Sequence, residues 1–557
     1  MQATEASPSR AWSRRPATAL LLAAMAVSAA LIVVLGSRLT FLLDDWTYII
    51  NRRGFNADAF LLPANEHFVA GPVAIWKSLI AVFGISSMLP YKLVSTAIFL
   101  LGAWFTFVWI RRRIGEWPAL FATVPLLFMG AAFDDYLWFA SITFLGSLTC
   151  GLGMLLALDR RDEGGDLRAC LWLVGSMLFS GLWLAFAAGA AVDIALRRRE
   201  RDWRGRAYLV AVPVILWAIW WLGWGHQAEG SFKLENLGTT PLFVLDSFAA
   251  ALAALLGLGT PAPGIAAPGG LDWGRPLAVL VGALAIWRAY RLPRIPRSFW
   301  VVLAVGLTFW VLGGVLVKEG RVPWASRYQL PGATLVLLAA TELLRGVRLD
   351  RRLLAPAIVA VVAVSASGIL FLDLSYRSYR HTSELERADL AALELSRDRV
   401  DPGLVLSEDI ADTGYVGVLA GPYLSARDAY GSPAFSESEL AAAPEDARVA
   451  ADKVLARAVG ATLGPTTAPG EASCRTIAAS KPGTVVSLEP GSTALRAGGG
   501  STVRVLIGRF SDSFPVIAGT LDPEAWEELR IPTDRSARPW RMELTGAGRV
   551  AVCHPGV

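Results

Sequence analysis

Residues 17–46 read ATALLLAAMAVSAALIVVLGSRLTFLLDDW, and the reading of this stretch decides the rest of the chain. Residues 17–36 are apolar almost throughout and follow a short basic tail, 1–16. The run is longer than the apolar part of a secretory signal, so it reads as a retained membrane helix with its N-terminus on the cytoplasmic side. Asp44 and Asp45 come directly after it. Carboxylates at a bilayer rim avoid low dielectric unless a site needs them, so this pair is the first functional signal.

Working outward, the same pattern repeats. Of 557 residues, 54% are hydrophobic and 18% charged, too few charges to cover a soluble globule of this size. The net charge of +5 invites a nucleic-acid partner. The arginines argue against one, because they cluster at 10–15, 111–113, 160–168, 197–206, 288–297 and 345–352, each beside an apolar run. That is how cytoplasmic loops look under the positive-inside rule. Spans are expected at 89–110, 118–133, 137–158, 207–225, 275–287, 299–317, 328–344 and 353–372. Residues 73–83, with Trp76 and Lys77, read as an interfacial helix. Residues 169–196 carry arginines at both ends and read as a hairpin broken near Ser180-Gly181. Residues 241–258 lack a basic flank and read as re-entrant or surface-lying, before a Pro/Gly-rich stretch at 259–264. The total is about eleven crossings.

Beyond residue 373 the composition becomes that of a soluble domain. The expected division is a transmembrane domain at 1–373, an extracytoplasmic α/β segment at 374–470 and an extracytoplasmic β-sandwich at 471–557. Cys474 and Cys553 bracket the sandwich. A disulfide between them closes a loop of about 80 residues, worth roughly 4 kcal/mol by loop entropy. Cys150 and Cys170 lie in or beside spans and read as inert packing thiols.

A second acidic pair, Asp134-Asp135, ends the third span, so both pairs fall on the outer face in this topology. The outer loops add Asn65-Glu66-His67 and the segment from Lys318 through Arg321 to Arg327-Tyr328. Each has a plainer reading. Asp44-Asp45 can end a helix with Trp46 as interfacial anchor, and Asp134-Asp135 can be a polar turn. Lys318 and Arg327 can snorkel from span ends, and His67 can simply pack. No CxxC, HExxH, P-loop or Ser-His-Asp signature is present.

With these residues in place, Leu43-Asp44-Asp45-Trp46, Asn65-Glu66-His67, Asp134-Asp135 and Arg327-Tyr328, in their order along residues 17–372, resemble the GT-C glycosyltransferases. That superfamily includes protein O-mannosyltransferases, lipid A aminoarabinose transferases and actinobacterial arabinosyltransferases. The resemblance implies an inverting enzyme of the bacterial cytoplasmic membrane, multi-pass, with its C-terminal domain outside. It would take sugar from a polyprenyl-phosphate donor to an envelope glycan, lipid or protein acceptor. In that scheme Asp44 is the general base and Asp45 orients the site or, with Asp135, helps hold a divalent cation such as Mg, Mn or Ca. Glu66, His67, Asp134 and Asp135 bind substrate. Lys318, Arg321 and Arg327 face the donor phosphate, and Tyr328 lines the pocket. Two other classes stay open: a lipid-sugar flippase, for which internal repeats are missing, and a non-catalytic glycan-binding scaffold.

Overall fold

The computed structural model describes residues 16–555 apart from 200–201, 229, 259–268, 319, 348–349, 407–417, 471, 490 and 501. The basic tail at 1–15 and the Pro/Gly-rich stretch at 259–264 lie outside the described residues. The chain is a polytopic α-helical membrane protein with a C-terminal β-sheet domain. It divides into two compact units. The first comprises residues 1–36, 60–72 and 91–377, and the second 37–59, 73–90 and 378–557.

Among the described residues, six helices are long and apolar enough to cross a membrane: Pro16–Gly36, Leu89–Ile114, Phe139–Leu158, Asn236–Leu255, Arg297–Val315 and Leu354–Leu395. A seventh span arises if Glu116–Leu127 and Gly130–Leu137, bent by 49°, count as one. The expected count of about eleven is therefore not reproduced on length and composition. The helix Pro16–Gly36 exposes Leu20, Leu22, Val27 and Val34, an outer face suited to lipid.

Two elements differ from expectation. The run expected to re-enter or lie on the surface is the helix Asn236–Leu255, of spanning length. Its Asp246 accepts two hydrogen bonds from Arg275, at 2.8 and 2.9 Å, which offsets the cost of a carboxylate in an apolar helix. The third span is broken where the backbone at 128–130 meets the helix Leu354–Leu395. A Cβ on Gly130 would stand 2.1 Å from the Gly368 carbonyl oxygen, and one on Gly368 would stand 1.9 Å from that of Phe128. Only glycine permits that approach.

The hairpin at 169–196 is present as the helices Glu163–Phe179 and Trp183–Arg197. Arg206 shows that they return to one end. Its guanidinium donates to Asp166, near the start of the first helix, and to Asp193, near the end of the second.

In the second unit, β1 (Val405–Leu406) pairs with β2 (Val418–Leu419), followed by the helices Ala420–Tyr430, Glu437–Ala441 and Glu445–Val459. The strands β3 (Thr462–Pro465), β4 (Ala472–Ala479), β5 (Thr484–Leu488), β6 (Gly491–Gly498), β7 (Val503–Gly508), β8 (Val516–Leu521), β9 (Trp526–Ile531), β10 (Trp540–Gly546) and β11 (Gly548–Pro555) follow. They form a four-stranded sheet, β5-β10-β7-β8, and a five-stranded sheet, β3-β9-β6-β11-β4. Burial alternates along the strands, with Val503, Val505 and Ile507 on β7 and Met542 and Leu544 on β10 fully buried. The Cys474–Cys553 disulfide is formed and joins the neighbouring strands β4 and β11.

Candidate functional site

In the first unit, the loop that carries Glu66 and His67 is a tight turn. The Ala64 and His67 backbones exchange two hydrogen bonds, at 3.1 and 3.0 Å, and Asn65 takes a left-handed φ of 52°. Asparagine tolerates that conformation better than most residues, which is how the sequence places the two next side chains.

Glu66 Oε1 accepts from the Ser231 backbone N–H at 2.6 Å and from the Ser231 hydroxyl. Its Oε2 accepts from Arg321 Nη1 at 3.2 Å. Burial raises the Glu66 pKa, but Ser231 and Arg321 outweigh it and hold the carboxyl below its ordinary range. Arg321 Nη1 also donates to the Leu316 carbonyl at 2.6 Å. His67 Nδ1 accepts from the Gly181 N–H at 3.3 Å, which assigns the neutral ring proton to Nε2. Burial, then the Arg321 guanidinium, push the imidazole down to about 4 against the pull of Glu66. A Cβ at position 181 would stand 2.8 Å from Nδ1, so glycine is needed there.

Glu66, His67, Gly181 and Arg321 line a cavity of about 760 Å³, partly open to solvent, whose remaining wall is mainly apolar: Phe144, Leu182, Leu184, Ala185, Phe243, Phe309, Trp310, Leu312 and Leu316. Tyr328 joins the wall through edge contacts with Phe144 at 5.8 Å and Phe309 at 6.1 Å. The Arg327 guanidinium lies 5.3 Å from the Tyr328 ring centre. Next to Arg327, the Ser326 hydroxyl accepts from the Asp134 N–H at 2.9 Å. Asp134 and Asp135 sit on a helical segment, Phe133–Leu137, and not in a polar turn. Asp135 is buried, and neither of its carboxyl oxygens has a hydrogen-bond partner among the described residues. Lys318 is exposed on the same loop as Arg321.

The first acidic pair belongs to the second unit. Leu43 adopts φ 49°, a rare conformation for a leucine that stores local strain. The Asp45 N–H donates to the Leu42 carbonyl, and Asp45 Oδ2 accepts from the Leu42 N–H, both at 3.0 Å. Asp45 is fully buried and Asp44 half-buried. Around them lies an aromatic group: Tyr48 stacks on Trp76 at 5.5 Å, Trp76 meets Phe41 at 5.8 Å, and Trp46 meets Tyr423 at 5.7 Å. Glu386 and Asp389, both buried, are coupled electrostatically to one another, and Glu386 also to Asp45.

The structure thus gathers Glu66, His67, Arg321, Arg327, Tyr328, Asp134 and Asp135 in one unit and places Asp44 and Asp45 in the other. Sequence reasoning missed Ser231, Glu386 and Asp389. Ser231 carries no signal of its own. Glu386 and Asp389 had one, an i, i+3 acidic pair on the buried face of a helix. Asp45 belongs to the second unit and Asp135 to the first.

No protein-family model and no curated protein matches the sequence. Among solved structures, the chain is similar to ArnT from Cupriavidus metallidurans bound to undecaprenyl phosphate. The identity is 13% and the TM-score 0.45, over 70% of this chain and 82% of that one. The apo state of the same protein aligns with a TM-score of 0.44 at 13% identity, over the same 70% and 82%.

Proposed function

We propose that the protein is an inverting glycosyltransferase. It moves a sugar from a polyprenyl-phosphate donor to an envelope glycan, lipid or protein acceptor on the outer face of the cytoplasmic membrane. The observation that carries this reading is the lining of the first unit's cavity, mainly apolar residues together with Arg321, His67, Glu66 and Tyr328. An isoprenoid chain suits the apolar wall, and its phosphate suits a guanidinium fork. His67, neutral above about pH 4, serves as a hydrogen-bond partner and not as a cationic clamp. Glu66 holds Arg321 in place.

In the transfer step the acceptor hydroxyl gives its proton to a carboxylate while its oxygen attacks the anomeric carbon. The bond from that carbon to the phosphate oxygen breaks, and the phosphate leaves with the electron pair. One displacement inverts the anomeric centre. Asp44 is the proposed base. Asp45 is turned inward onto Leu42 N–H, which leaves Asp44 as the more exposed member of its pair. In the first unit the corresponding carboxylate is Asp134.

The cavity reading is tested by measuring binding of a polyprenyl phosphate and of the matching polyprenol to the purified protein. The phosphate should bind about tenfold tighter or more, and Arg321→Gln should remove most of that difference. Equal binding of phosphate and alcohol to the wild type would sink the reading.

A further inference from the structure

The second unit holds a cavity that the transferase reading does not use. It spans about 530 Å³, open solvent included, and is lined by residues 37–41, by residues 85–88 and by Arg387 and Pro433. Two guanidiniums, Arg38 and Arg387, and the hydroxyl residues Thr40, Ser86 and Ser87 are among its walls, with no carboxylate among the lining residues. A cavity with that lining favours an oxyanion.

The two arginines differ in what holds them. Arg387 is fixed: Nε donates to the Pro433 carbonyl at 3.1 Å, and the guanidinium lies 4.1 Å from the Phe435 ring centre. Its carboxylate neighbours are Glu439, at 3.8 Å, and Glu384. Arg38 is exposed and makes no hydrogen bond or ion pair among the described residues. Thr40 is 4% exposed, and its hydroxyl oxygen is buried with no hydrogen-bond partner among the described residues. A buried hydroxyl left unmade costs stability, and Thr40 is one of the lining residues.

We propose that Arg38, Thr40, Ser86, Ser87 and Arg387 form a binding site for a phosphate group, separate from the donor cavity. Arg387 supplies a positioned guanidinium, Arg38 folds onto the bound anion, and the hydroxyls donate to its remaining oxygens. A phosphate is available from two sources. Arg38 stands two residues beyond the helix Pro16–Gly36, where the chain leaves its first apolar span, so a phospholipid headgroup is within reach. A soluble phosphate monoester offers the same oxygens. This site does not depend on the transferase reading.

The test is native mass spectrometry on the purified full-length protein, titrated separately with short-chain phosphatidylglycerol and with glycerol 3-phosphate. Arg38→Gln is chosen because Arg38 is exposed and makes no hydrogen bond or ion pair among the described residues. Lys481→Gln removes the same charge from an exposed position away from the cavity lining. The expected result is binding by the wild type that weakens about tenfold in Arg38→Gln and is unchanged in Lys481→Gln. Binding of both probes identifies a general phosphate site, and binding of the lipid alone identifies a headgroup site. Failure of the wild type to bind either probe, or equal behaviour of the two variants, overturns the proposal.

Discussion

Asn65 decides where Glu66 and His67 point, because its left-handed φ turns the loop between the two hydrogen-bonded flanks. Replacing it with valine should cost about 1–2 kcal/mol, since a branched side chain is strained there, whereas Asn65→Gly should be close to neutral. Thermal unfolding of the two variants measures this directly, and equal losses would contradict it. His67 carries a second consequence. An unfolded histidine titrates near 6.5 and this one near 4. Between those values the unfolded chain binds a proton that the folded chain does not. The stability supplied by a neutral His67 is therefore complete above about pH 6.5 and is lost as pH falls toward 4. His67→Gln should lose less stability than the wild type between pH 7 and about pH 4.5, and an identical loss would remove His67 from the account. At this scale the sequence was only partly legible. Asn65-Glu66-His67 is visible as a polar group in an apolar chain, and Arg321 and Tyr328 are visible by type. Ser231, which orders Glu66, lies more than a hundred residues along the chain from it, and nothing local marks it.

Helices are held to one another by buried ion networks as well as by apolar packing. Glu342, fully buried, accepts from Arg113 on Leu89–Ile114 and from Ser298 on Arg297–Val315, and pairs with Arg345 at 2.6 Å. Arg113 also reaches Asp159 at 3.1 Å, and Arg206 joins Asp166 to Asp193. These arginines belong to the clusters read from the sequence as orienting loops. The structure gives several of them a second role as cross-links. Glu342→Gln removes a charge partner of the buried Arg113, which keeps Asp159, so it should destabilise by about 1–3 kcal/mol. A Tm unchanged by that substitution in detergent would show that the network contributes little. Periodicity and length found most helices, and the break at Ser180-Gly181 was readable because arginines flank both ends. The helix Asn236–Leu255 was not, since the charge partner of its Asp246, Arg275, lies 29 residues further along the chain.

For the whole molecule, the change of composition after residue 373 correctly announced a C-terminal part rich in short strands. It did not announce that residues 37–59 and 73–90 group with that part, because such pairing depends on long-range packing that no local pattern encodes. The Cys474–Cys553 bridge closes a separation of 79 residues, so reducing it should cost roughly 4 kcal/mol in the second unit. Proteolysis of the β-sheet domain with and without reductant measures this, and equal resistance would contradict it. Transfer measured with and without EDTA tests the divalent cation proposed at Asp45 and Asp135: loss of activity restored by Mg or Mn supports it, and unchanged transfer rules it out.

The most direct measurement is transfer of labelled sugar from a panel of polyprenyl-phosphate donors in membranes, comparing wild type with Asp44→Asn and Asp134→Asn. Product is expected from at least one donor, with a loss of about a hundredfold or more in Asp44→Asn at unchanged expression. Transfer by Asp44→Asn at the wild-type rate would contradict the assignment of the base, with a loss in Asp134→Asn moving it to the first unit. No product from any donor would contradict the transferase itself.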